Sequence, residues 1–133
     1  MPTTERRSML DHRITLVSSS RETVDGVREY LGRAGARLTS TGRLVDAPAT
    51  SAGADAIVLF ADDFPRAAAL STFAALREAL PSTVIVVVTE AVEEFSPAER
   101  DRAAAGRVVV LRRPAWGWML LDALLAGAGQ GVG

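Results

Sequence analysis

Asp55-Ala56-Ile57-Val58-Leu59-Phe60-Ala61-Asp62-Asp63-Phe64-Pro65 is the stretch on which the fold turns. An unbroken apolar run stops at two acids and a proline. Such a run is typical of a parallel strand covered on both faces. Three other runs have the same form. Ile14-Thr15-Leu16-Val17 precedes Ser18-Ser19-Ser20, Thr83-Val84-Ile85-Val86-Val87-Val88 precedes Thr89-Glu90, and Val108-Val109-Val110-Leu111 precedes Arg112-Arg113-Pro114. Ligands of an open parallel sheet bind at the carboxyl ends of its strands. Any chemistry is therefore sought where these four runs end.

Helical patterns lie between the runs. Residues 20–35 read as a helix, with Ser19 or Ser20 as its cap and Val24, Val27, Tyr30 and Leu31 as its buried stripe. Pro65 or Arg66 to Leu80 reads as a second, with Leu70, Phe73, Leu76 and Leu80 on one side. Ser96-Pro97-Ala98-Glu99 has the form of a helix start and predicts a helix to about Ala105. Pro114 to Leu125 reads as the last helix. The weakest region is 38–54, where a strand around Arg37 to Val45 is interrupted and the helix expected next is shortened or absent. Strands alternating with helices predict right-handed crossovers and a parallel sheet.

Length and composition narrow the chemistry. The 133 residues suit one domain, and the net charge of −1 advertises neither nucleic acid nor an anionic membrane. All 15 basic residues are arginine, so no lysine can form a Schiff base or grip a phosphoryl group. Cysteine is absent, which removes disulfides, thiolate metal sites and cysteine nucleophiles. The one histidine, His12, precedes the first strand, a poor place for a Ser-His-Asp hydrolase. No signal peptide is visible, and a cytoplasmic bacterial-type protein is the simplest reading.

The pattern resembles the receiver domain of bacterial two-component response regulators over residues 12–126. Residues 1–11 read as a polar arm, and 127–133 as a glycine-rich tail or the start of a linker to further domains. The resemblance implies a single doubly wound (βα)5 flavodoxin-like domain with parallel sheet order 2-1-3-4-5. In that family an acidic pair after strand 1 holds Mg²⁺. An aspartate ending strand 3 accepts the phosphoryl group. A Thr or Ser ending strand 4 and a lysine before a proline after strand 5 hold its oxygens. Here Thr89 matches the hydroxyl and Pro114 the proline, whose bond to Arg113 is a candidate cis peptide. Arg113 stands for the lysine, Ser18 and Ser19 for the acidic pair, Phe60 for the phosphoacceptor, and Val110 for the switch aromatic.

These departures predict a degenerate pocket. Phosphoryl transfer needs charge neutralisation by a metal and an in-line nucleophile. Two serines do not replace two carboxylates as Mg²⁺ ligands, and phenylalanine is no nucleophile. Asp62 or Asp63 could cap the following helix, or Asp62 could serve as an atypical phosphoacceptor with Mg²⁺. Ser18-Ser19-Ser20 reads as a strand-to-helix cap, with an anion at the helix start as the alternative. Arg112-Arg113 could bind an acidic group of a partner, or Arg113 could close the pocket by pairing with Asp62 or Asp63.

Trp116 and Trp118, two apart on the last helix, should point to different faces, one packed on the sheet and one partly exposed. With Leu121 and Leu125 they are expected to form a partner interface on a helix that is apolar almost all round. The leading expectation is therefore a phosphorylation-independent pseudo-receiver. It would need no cofactor or metal, carry no catalytic residue, and work by contact with a protein partner or as a homodimer. A small flavodoxin-like anion-binding or enzymatic domain using Ser18, Ser19 and Thr89 is the alternative from another class.

Overall fold

The computed structural model describes residues 11–100 and 107–129. Five strands form one parallel sheet: β1 (Arg13–Val17), β2 (Arg37–Thr41), β3 (Ala56–Phe60), β4 (Val84–Thr89) and β5 (Val108–Arg112). Their order is β2-β1-β3-β4-β5, the doubly wound order the sequence implies. The helices are α1 (Arg21–Arg33), α2 (Ala47–Thr50), α3 (Arg66–Ala79), α4 (Val92–Glu99) and α5 (Gly117–Gly129).

The alternation of side chains along each strand divides the core in two. Ile14, Leu16, Val58, Val86 and Val88 face α1 and α5, where they meet Val27, Leu31, Leu120 and Leu124. Val17, Ile57, Leu59, Ile85 and Val87 face the other way, onto Ala69, Phe73, Leu76 and Phe95. The central strands are apolar on both sides because both sides are covered. No helix among the described residues is long and apolar enough to cross a membrane.

Two helices start elsewhere than the sequence reading gives. Helix α4 begins at Val92, not at Ser96, and Pro97 lies inside it. Phe95 explains the earlier start. It is buried and packs edge-on against Phe73, with ring centroids 5.2 Å apart. Glu93 and Glu94 add negative charge to the first turn, where the helix dipole favours it. Ser96 does not cap; its hydroxyl donates to the Val92 carbonyl at 2.8 Å. The predicted continuation to Ala105 falls partly on residues 101–106, outside the described residues.

Helix α5 starts at Gly117 rather than Pro114 and continues to Gly129, so part of the expected tail is helical. The Trp116 carbonyl accepts from the Met119 and Leu120 amides at 2.9 and 3.1 Å, which places Trp116 before the first turn. Gly117 is fixed by a close approach: a Cβ there would lie 2.6 Å from Cγ of Tyr30. The Tyr30 ring thus lies against the start of α5. It is 41% exposed, a correction to the expectation that it joins the buried stripe of α1.

The weak region resolves into a real but short edge. β2 is a regular strand paired to β1, and α2 has only four residues. Ala47 is the buried residue of that helix.

Candidate functional site

The site lies at the carboxyl ends of β1, β3, β4 and β5. β3 stops at Phe60, and a 3-10 turn over Ala61–Asp63 carries two carboxylates back over the sheet. Ala61 is buried and anchors the turn. Neither aspartate caps α3, whose N-cap is Pro65 with no side-chain bond. The helix-cap reading of Asp62 and Asp63 is therefore corrected: both carboxylates turn to the strand ends.

Asp62 is the centre of the arrangement. Its Oδ1 accepts from the Thr89 hydroxyl at 2.7 Å. Its Oδ2 accepts from the Glu90 amide at 2.8 Å and lies 3.6 Å from Nη1 of Arg113. Thr89 is wholly buried, and its hydroxyl oxygen also accepts from the Ala91 amide at 2.9 Å. Partial burial pushes the Asp62 carboxyl up. The Thr89 hydroxyl, the Glu90 amide and the Arg113 guanidinium more than offset this, and hold it below the ordinary value of 3.8. The Arg113–Pro114 peptide is cis.

Asp63 is held separately. The buried Ser18 hydroxyl donates to Asp63 Oδ2 and accepts from the Ser20 amide at 3.1 Å. The Ser19 hydroxyl lies 3.4 Å from the Asp63 carbonyl. Ser20 caps α1 by accepting from the Thr23 amide at 3.2 Å. The serine run is thus a strand-to-helix junction that also ties down the β3 loop.

Two clefts flank Asp62, and its side chain lines both. One of about 160 Å³ lies between Thr23, Phe60, Asp63, Arg113 and Pro114. The other, about 270 Å³, lies between Phe64, Arg66, Thr89 and Phe95. Phe60 is half-buried and packs on the α1 and α5 side of the core, with no chemistry to offer.

These residues do not fit a divalent metal of the kind phosphoryl transfer needs. Serines stand where carboxylates would bind it, the two Asp62 oxygens are already engaged, and Asp63 is bonded to Ser18. Among the described residues no group of three or more His, Cys, Asp or Glu comes together.

The expected partner surface is brought together only in part. Trp116 and Trp118 are both exposed, at 59% and 57%, so neither packs on the sheet as one was expected to. Trp116 escapes because it lies outside the helix. Leu121 is buried in the core, and Leu125 is half-buried against it. Leu121 therefore serves α5 packing and is not available to a partner. Sequence reasoning misses the Glu90 amide, the third group on Asp62; a backbone donor leaves no trace in residue type.

No family model and no curated protein matches the chain. Solved structures do match it in fold. The response regulator receiver domain protein of Clostridium thermocellum superposes with a TM-score of 0.74 at 10% identity, over 91% of this chain and 97% of that one. The chemotaxis response regulator CheY4 of Vibrio cholerae gives 0.68 at 20% identity, over 86% and 97%. A putative pilus assembly protein (cpaE) of Burkholderia thailandensis gives 0.67 at 25% identity, over 90% and 99%. The fold is that of receiver domains.

Proposed function

We propose that this chain is a phosphorylation-independent pseudo-receiver, a signalling module that acts by protein–protein contact in bacterial regulation rather than as an enzyme. The observation that carries the reading is the Asp62 carboxylate. It takes the hydroxyl of Thr89 and sits beside the Arg113 cation, the two groups that in receivers would hold a phosphoryl group. An internal anion fills that role without a metal or a phosphodonor.

The exposed pair Trp116 and Trp118 supports self-association through the start of α5. Exposed aromatics of this size are favoured anchors at interfaces. The assembly state would then be fixed, since no phosphoryl group is needed to set the pocket. Solution mass by light scattering tests this. A dimer that ignores Mg²⁺ and beryllofluoride supports the reading, and a mass that changes on adding them sinks it.

A second reading has one observation in its favour. Asp62 reaches the site, so it could accept a phosphoryl group as an atypical receiver. It would first have to release Thr89 and the Glu90 amide, and Ser18 and Ser19 stand where an acidic pair would hold Mg²⁺. Mg²⁺-dependent phosphorylation by acetyl phosphate that is lost in Asp62→Asn would establish this reading in place of the first.

A further inference from the structure

A further cleft, lined by both polar and apolar residues, lies at the β1–β2 corner of the sheet. α2 is only four residues long, and the face it leaves carries Val17, Thr15 and Arg13 along β1 and Thr41, Thr39 and Arg37 along β2. Arg13 pairs in register with Arg37, and Thr15 with Thr39. Paired residues in a ladder point to the same face, so two guanidinium groups and two hydroxyls share one patch. The patch forms a cleft of about 240 Å³ lined by Arg13, Thr15, Arg37, Thr39, Thr50 and Gly53. Gly53 has φ +82°, a conformation that favours glycine, and a Cβ there would be 3.9 Å from Nη1 of Arg13.

Like charges at directly opposed ladder positions repel. Compensation from the protein is partial. Asp11 lies 3.6 Å from Arg37, an exposed contact. Asp55 accepts from the Arg13 backbone amide at 2.9 Å, and no ion pair to the Arg13 guanidinium is found among the described residues. Thr15 is wholly buried, and among the described residues its hydroxyl meets the Thr39 hydroxyl at the long distance of 3.4 Å. Paired arginines with a pair of hydroxyls two residues further along the same face offer the donors that oxyanion recognition uses, since guanidinium groups take two oxygens at once.

We propose that this corner binds a small phosphate dianion, either inorganic phosphate or a compact phosphomonoester. Two arginines match a group that carries nearly two negative charges at neutral pH. The cleft volume is below the usual range for larger organic ligands, which limits the remainder of the molecule. The site lies at the opposite end of the strands from Asp62, and the proposal does not depend on the reading of that pocket.

Calorimetric titration of the full chain with inorganic phosphate and with ribose 5-phosphate, at constant ionic strength, tests it. Saturable binding of either is expected, and the tighter of the two identifies the ligand source. Arg13→Gln should weaken it about tenfold or more, as the loss of a charge-assisted contact. Thr39→Val, at an exposed strand position, should weaken it less while leaving the fold intact. Arg113→Gln should leave it unchanged, which separates this corner from the Asp62 pocket. No saturable binding up to about 10 mM overturns the proposal. Binding that Arg13→Gln spares, or that Arg113→Gln abolishes, overturns it equally.

Discussion

The Thr89 hydroxyl donates to the Asp62 carboxylate at 2.7 Å across the gap between the ends of β4 and β3. This contact ties two strand ends that would otherwise hold separate parts of a pocket. With the Glu90 amide on the other oxygen, it occupies Asp62 from two sides. The arginine is secondary: at 3.6 Å, with half of its own side chain exposed, Arg113 steers the carboxylate more than it binds it.

That ranking predicts unequal losses. Asp62→Ala removes an ionised acceptor from a buried hydroxyl and an amide, and should cost about 1–3 kcal/mol. Arg113→Gln removes an exposed ion pair and should cost about 0–1 kcal/mol. Urea unfolding of both variants measures the difference; equal costs would contradict it.

The acid limb of stability follows from the same carboxyl. Its folded-state value lies below the ordinary 3.8, so ionisation favours the folded chain. Its contribution is complete above the unfolded value near 3.8 and is lost as the pH falls through the lowered folded value. Asp62→Asn should therefore be less stable than the wild type at neutral pH. The gap between the two should narrow in strong acid, as followed by unfolding across the acid range.

Much of this site is legible in the residues alone. Thr89 and Arg113-Pro114 follow the two most regular apolar runs, where strand ends are hard to misplace. Asp62 is harder. Counting along the strand leaves it beyond Phe60, and only the 3-10 turn over Ala61–Asp63 returns it to the pocket. The start of α4 is hidden because Ser96-Pro97 has the composition of a cap, while the buried contact of Phe95 with Phe73 is long-range and decides the outcome. Trp116 reads as helical although the helix begins one residue later, because the close packing of Tyr30 on Gly117 is likewise invisible in one dimension.

That packing gives a third prediction. Gly117→Ala puts a methyl group 2.6 Å from the Tyr30 ring and should cost about 1–3 kcal/mol, as overpacking does. Most of the cost should vanish in a Tyr30→Ala background. A double-mutant cycle with no coupling would show that the ring does not constrain α5.

Leu121 and Trp118 separate packing from the proposed self-association. Leu121→Ala opens a cavity in the core and should cost about 2–5 kcal/mol. Trp118→Ala, on an exposed side chain, should change stability by no more than about 0.5 kcal/mol. It should nonetheless weaken self-association, read by sedimentation across a concentration series. Association unaffected by Trp116→Ala and Trp118→Ala would place the interface elsewhere.

If Asp62 already occupies the groups a phosphoryl ligand would need, as proposed above, the pocket should ignore phosphoryl-like anions. The most direct measurement is the amide NMR spectrum of the wild-type chain with and without Mg²⁺ and beryllofluoride. Unchanged signals are expected for Asp62, Thr89, Glu90 and Arg113. Saturable shifts at those residues, absent in Asp62→Asn, would mean that the pocket still takes a phosphoryl-like anion and that the chain is a working receiver.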